Sequence, residues 1–131
     1  MAGITDRVIL LRIDSRVALP TLQDEAFDII FIDGDHSYEF VKSDITHAKR
    51  LVRLGGIIVG DDLELQFPSV DSPYHKEQVE LKNHFCSAPD NSMGYHPGVT
   101  QAVWEEFGQV NNPLGLWAVR KVGEGFHGNV L

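Results

Sequence analysis

Between Phe27 and Asp62 the chain sets out a strand, a helix, a glycine pair and a second strand in about 35 residues. This arrangement constrains the fold more than any other part of the sequence. Phe27 to Ile32 (Phe-Asp-Ile-Ile-Phe-Ile) is nearly all apolar, as a strand covered on both faces would be. From about Ser37 to Leu54, Val41, Ile45, Ala48 and Val52 recur at helical spacing, and Leu51 widens the stripe. Lys42, Lys49 and Arg50 fall outside it, and basic residues late in a helix suit its dipole. Gly55-Gly56 reads as the C-cap that stops the helix. Ile57-Ile58-Val59 is then a short strand leading into Gly60-Asp61-Asp62. The two strands are expected to be parallel and joined by a right-handed crossover, which makes the chain an α/β protein.

The flanks extend this frame. Val8-Ile9-Leu10-Leu11, within Arg7 to Ile13, reads as a further strand buried on both faces. Ser15 is the expected cap of a short helix through Leu22. Ser72-Pro73 opens a helix predicted to run to about Phe85, residues 88–94 read as a mobile loop, and Pro97 to Phe107 is a further helix. Leu116 to Val122 is the last predicted strand, and the Gly-rich tail from Gly123 is expected to fray. With 131 residues, the sequence is read as one domain, 1–131, carrying a loop and helix insertion at about 65–96.

Charge narrows the partners. The formal net charge of −8 disfavours nucleic acid and anionic membrane surfaces, and favours cations. No apolar run approaches the ~20 residues of a membrane span, and no secretory signal is visible. A single cysteine, Cys86, excludes an internal disulfide and a cysteine-based zinc site. These features lead to the expectation of a cytoplasmic protein.

Two acidic pairs, Asp33/Asp35 and Asp61/Asp62, stand at the carboxyl ends of the two strands. In open α/β sheets, ligands bind in the crevice outside those ends. Carboxylates crowded there repel one another unless a cation relieves them, and a hard ion such as Mg2+ or Ca2+ prefers oxygen ligands. Asp after a strand is also ordinary turn chemistry, and Asp35 serves equally well as a helix cap. His36, at the helix start, is a candidate base or a simple hydrogen-bonder there. His96, before Pro97-Gly98, is a candidate to line the site; no histidine pair has the spacing of a helical zinc motif.

The segment Asp33-Gly34-Asp35-His36-Ser37-Tyr38 together with Leu54-Gly55-Gly56-Ile57-Ile58-Val59-Gly60-Asp61-Asp62 resembles class I S-adenosylmethionine-dependent methyltransferases. The nearest likeness is to their metal-dependent small-molecule O-methyltransferases. His96-Pro97-Gly98-Val99 and Leu116 to Lys121 resemble a later helix start and the closing strand of that family. The resemblance implies that Asp33, Asp61 and Asp62 hold a divalent ion, that His36 is the catalytic base, and that Asp14, Ser15 and Asp33 contact the cofactor. It implies a small-molecule hydroxyl as methyl acceptor, with residues 65–95 over the site. The family's glycine-rich turn is not seen before Val8, so the chain reads as the carboxyl-terminal portion of such a fold: a partial Rossmann-like, mostly parallel sheet lacking the first two βα units. Its Ile29 to Ile32 strand would then have a bare edge, to be covered by the Val8 to Ile13 strand moving beside it, in a homo-oligomer, or by a complementing amino-terminal half. Two functions follow: O-methyl transfer once the fold is completed, or a catalytically inactive remnant serving as a metal-binding or interaction module.

Overall fold

The computed structural model describes residues 6–131. A short helix α1 (Ser15–Ala18) and a 3-10 turn (Leu19–Thr21) precede β1 (Phe27–Ile32), α2 (Tyr38–Leu51) and β2 (Val52–Gly60). Then come α3 (Phe67–Val70), α4 (Pro73–Glu80), a small hairpin β3 (Cys86–Ser87) and β4 (Gly94–Tyr95), and α5 (Pro97–Phe107). A 3-10 turn (Pro113–Gly115), β5 (Trp117–Val122) and β6 (Gly125–His127) complete the chain. The main sheet has the order β1-β2-β5-β6. Pair β1/β2 is parallel, and the pairs β2/β5 and β5/β6 are antiparallel. The α/β fold with a partial Rossmann-like sheet is therefore present, as a mixed sheet built on the βαβ unit that the sequence shows.

The core follows from two amphipathic helices. α2 buries Val41, Ile45 and Ala48, and α5 buries Val99, Ala102 and Val103, against Ile58, Trp117 and Val119 of the sheet. At the solvent side, Lys42 bonds Glu105 (2.9 Å) and Glu106 (2.7 Å), and Lys49 bonds Glu106 (2.8 Å), so the two helices are also tied by charge. The excursion between β2 and α5 has a small cluster of its own, formed by Val70, Ala88 and Tyr95 with Leu65 and Cys86.

Several expectations need correction. Arg7 to Ile13 is not a buried strand: it pairs with no strand among the described residues, and Ile9 and Leu10 are 87% and 89% exposed. An apolar run becomes a strand only where it forms a ladder, and this one forms none with the open edge of β1. The cap of α1 is Asp14, whose carboxylate accepts from the Arg16 N–H; Ser15 is the first helical residue. The helix continues only as the 3-10 turn that Pro20 opens, so it does not run uniformly to Leu22. α2 ends at Leu51, because Val52 is already extended and fully buried opposite Phe27. Gly55-Gly56 is consequently not a helix cap but a bulge within β2: the register steps from Phe27↔Val52 to Ile29↔Ile57. Gly55 has φ 77°, and a Cβ on Gly56 would lie 2.7 Å from the Asp28 carbonyl oxygen, so this bulge needs glycine. α4 stops at Glu80 rather than near Phe85, residues 88–93 form the tip of the β3/β4 hairpin with Gly94 already in β4, and the tail pairs as β6 instead of fraying.

Candidate functional site

The parallel register sets the rim. Ile32 pairs with Gly60, so Asp33 and Asp61 each stand one residue beyond the same rung, at the carboxyl end of β1 and β2. Asp33, Asp35, His36, Asp61 and Asp62 line one narrow crevice there, floored by Ile32, Val41, Val99 and Trp117. The turn into α2 is folded by Asp35, whose Oδ1 accepts from the Ser37 N–H (2.8 Å) and Ser37 Oγ–H (2.6 Å). Those bonds hold the Asp35 carboxyl below the ordinary range. Asp35 thus folds the turn that leads into α2, whose N-cap residue is Ser37.

With the turn fixed, His36 Nε2 lies 2.7 Å from Asp62 Oδ2. Asp62 reaches it because its backbone takes φ 65°, and its N–H donates to Asp61 Oδ1 at 2.8 Å. The Trp117 indole N–H donates to the Asp61 carbonyl at 3.3 Å, anchoring the same corner from β5. His96 comes in from the start of α5: its Nδ1 is 3.7 Å from Asp62 Oδ1 and 2.7 Å from Glu64 Oε1, and its N–H donates to Glu64 Oε2 at 3.2 Å. The rings of His36 and His96 are 4.5 Å apart. A Cβ on Gly98 would lie 2.4 Å from the His36 carbonyl oxygen, so the two helix starts meet only because position 98 is glycine.

Sequence reasoning brought Asp33, His36, Asp61 and Asp62 to this rim, and all four line it. His36, Asp62 and His96 form the tight group, with one ligand atom from each within 4.8 Å of the others. Asp33 and Asp61 line the crevice outside that group. Glu64 was missed, as was His84, which approaches Asp35 at 4.0 Å. No local spacing announces either, since the contacts join residues far apart in sequence.

A second, larger crevice of about 430 Å3 adjoins the first and shares Ile32, Asp33 and Gly34 with it. Ser15, Leu19, Ile30, Asp44 and Leu51 complete most of its walls. Ser15 Oγ–H donates to Asp44 Oδ1 at 2.8 Å, while burial pushes the Asp44 carboxyl up. Asp14 does not line this crevice. Its carboxylate is bonded to the Arg16 side chain and backbone, which hold it below its usual range, and Arg16 lies over the Phe40 ring.

Residues 1–63 match the family model of a methyltransferase domain. The match supports a methyltransferase family, and it spans Asp14, Ser15, Asp33, His36, Asp61 and Asp62. Glu64, His96 and the sheet's two antiparallel strands lie beyond the segment that resembles a methyltransferase. No curated protein matches the chain. No described helix is long and apolar enough to cross a membrane.

Proposed function

We propose that the chain transfers a methyl group from S-adenosylmethionine to the hydroxyl of a small molecule, with His36 as the base. One observation carries the reading: an imidazole oriented by a carboxylate, His36 to Asp62 at 2.7 Å, sits at the carboxyl rim of a βαβ unit beside a crevice of ligand size.

Asp62 accepts from His36 Nε2–H, which fixes the tautomer and leaves Nδ1 as the proton acceptor. Val41, Val99 and Trp117 give the crevice an apolar floor, and His36, about 32% exposed at its rim, is open to the acceptor hydroxyl. The larger crevice offers apolar walls with Ser15, Asp33 and Asp44 as polar points, a donor set suited to a nucleoside with a positive centre. When bound, the cofactor supplies an electrophilic methyl carbon on a sulfonium. Asp33, Asp61 and Asp62 bring oxygen donors to one crevice and would hold Mg2+ or Ca2+, which acidifies a bound hydroxyl. His36 takes the hydroxyl proton as the oxygen–methyl bond forms and the methyl–sulfur bond breaks, and then returns that proton to solvent.

The test uses labelled cofactor at millimolar concentration with Mg2+ and a panel of catechols, phenols and sugars. Transfer to one class, reduced about 100- to 10,000-fold in His36→Gln, supports the reading. Absence of both transfer and cofactor binding overturns it and leaves the metal-binding or interaction module.

A further inference from the structure

We infer that His36, Asp62 and His96 form a site for one borderline divalent transition ion of the Zn2+ class, with Glu64 holding the His96 ring. Three elements far apart in sequence converge on the same point: the turn after β1, the turn after β2, and the start of α5. Each contributes one donor atom, all within 4.8 Å of one another, and all three residues are half-buried. Two imidazole nitrogens and one carboxylate are the donor set that borderline ions prefer, whereas Mg2+ and Ca2+ take oxygen.

The geometry is near what ligation needs. Zn–N and Zn–O bonds of about 2.0–2.2 Å in a tetrahedron place ligand atoms roughly 3.4 Å apart. Here His36 Nε2 lies 2.7 Å from Asp62 Oδ2, slightly closer than that, and one ligand atom from each of the three residues lies within 4.8 Å of the other two. The group is also held in place. The close approach of Gly98 to the His36 backbone fixes the two histidine-bearing segments against each other. Glu64 grips His96 at both its ring and its backbone N–H. Because Glu64 occupies Nδ1, His96 is left to ligate through Nε2, and a carboxylate on the other ring nitrogen is a standard companion of a ligating imidazole. Three protein ligands leave a fourth position open to water or a ligand oxygen.

This site shares Asp62 with the carboxylates assigned above to Mg2+ or Ca2+, but it depends on His96, which they do not need. Binding stands on the geometry alone. The consequence for catalysis rests on the methyl-transfer reading: an ion on His36 removes the base, so the Zn2+-class ion would inhibit transfer.

The experiment titrates the full chain with Zn2+ by calorimetry and with Co2+ by visible absorption, both in millimolar Mg2+. One equivalent is expected to bind despite the Mg2+. His36→Gln and His96→Gln should each weaken binding more than about 100-fold, and Glu64→Gln about 10- to 100-fold. A His47→Gln/His127→Gln double variant should bind as the parent does. Wild-type affinity in His96→Gln, or displacement of Zn2+ by Mg2+, overturns the inference. Where circular dichroism shows a variant misfolded, histidine proton shifts in the parent decide: unmoved His36 and His96 signals on Zn2+ addition overturn it as well. Cofactor dialysis on the same samples separates the two readings. Zn2+ binding without cofactor binding sinks methyl transfer and keeps this site, and the reverse outcome sinks this site alone.

Discussion

Ile57-Ile58-Val59 and Val8-Ile9-Leu10-Leu11 are near-equivalent in composition, yet their fates differ. The first lies between β1 and β5, with Ile58 fully buried beneath α2 and α5. The second is solvent-exposed and unpaired among the described residues. Beside it, β1 is the edge of the sheet, and Ile29 and Phe31 are 61% and 56% exposed. Ile9, Leu11, Leu19, Leu22, Phe27 and Ile29 line an apolar groove along this side. The molecule therefore has a closed half around β2 and β5 and an open half around β1. Apolar composition gives a segment the capacity to be a strand; a neighbour decides whether it becomes one.

Cofactor affinity gives the largest contrast. The larger crevice belongs to the open half, and Ser15, one of its few polar groups, is already bonded to Asp44. S-adenosylmethionine is expected to bind the single chain with a dissociation constant near 1 mM, only about 4 kcal/mol. Equilibrium dialysis with and without Mg2+ checks this, and micromolar binding would mean that the open half is closed in solution. Next in size is the core. Ile58→Ala should cost about 2–5 kcal/mol in urea unfolding, whereas Ile9→Ala, read on the single chain, should stay within roughly 0.5 kcal/mol. A comparable loss at Ile9 would erase the distinction between the halves.

Assembly sharpens the comparison. Each copy carries both an unpaired edge and an unpaired strand-prone run, so a second copy is the expected cover. Light scattering at micromolar concentration should give a mass above that of one chain, lowered towards one chain by Ile29→Lys. A well-folded single-chain mass for the parent would refute it. The smallest expected effect is in pH. His75 is buried, within 2.7 Å of the Tyr95 hydroxyl and 2.9 Å of Gln101 Oε1, and burial depresses its pKa below the ordinary 6.5. The folded state therefore binds this proton less readily than the unfolded chain. Stability should be full above about pH 6.5 and decline as pH falls through the depressed value, a decline that His75→Gln should flatten. Urea midpoints across that range measure it.

The closed half was legible in sequence because its signals are local and agree. The helical stripe Val41, Ile45, Ala48 predicts the face that α2 buries, and Ser72-Pro73 and Pro97 mark the true starts of α4 and α5. The rim was legible for the same reason, since a parallel pair carries both acidic ends to one side. What was not legible depends on partners. Val52 left the helix because Phe27 receives it, a pairing that spacing along the chain does not encode. Glu64 joined the site through a histidine 32 residues away, and Asp35 could be told from Asp33 only once Ser37 was seen to bond it.

The Glu64–His96 contact also bears on how such a chain can change over evolution. Residues 65–95 leave from one partner of that contact and return to the other, enclosing a small cluster of their own. The contact acts as a clasp at the neck of the excursion, so the segment beyond it can be lengthened, shortened or exchanged while both ends stay anchored. Loop-closure entropy grows only slowly with length, so the cost of such exchange lies mainly in the contacts the segment makes with α5, the His75–Gln101 bond and the Phe67–Trp104 stack among them. The neck therefore separates two kinds of constraint: beyond it sequence answers only to the segment's own cluster and its face on α5, and at it a single pair of side chains holds both ends.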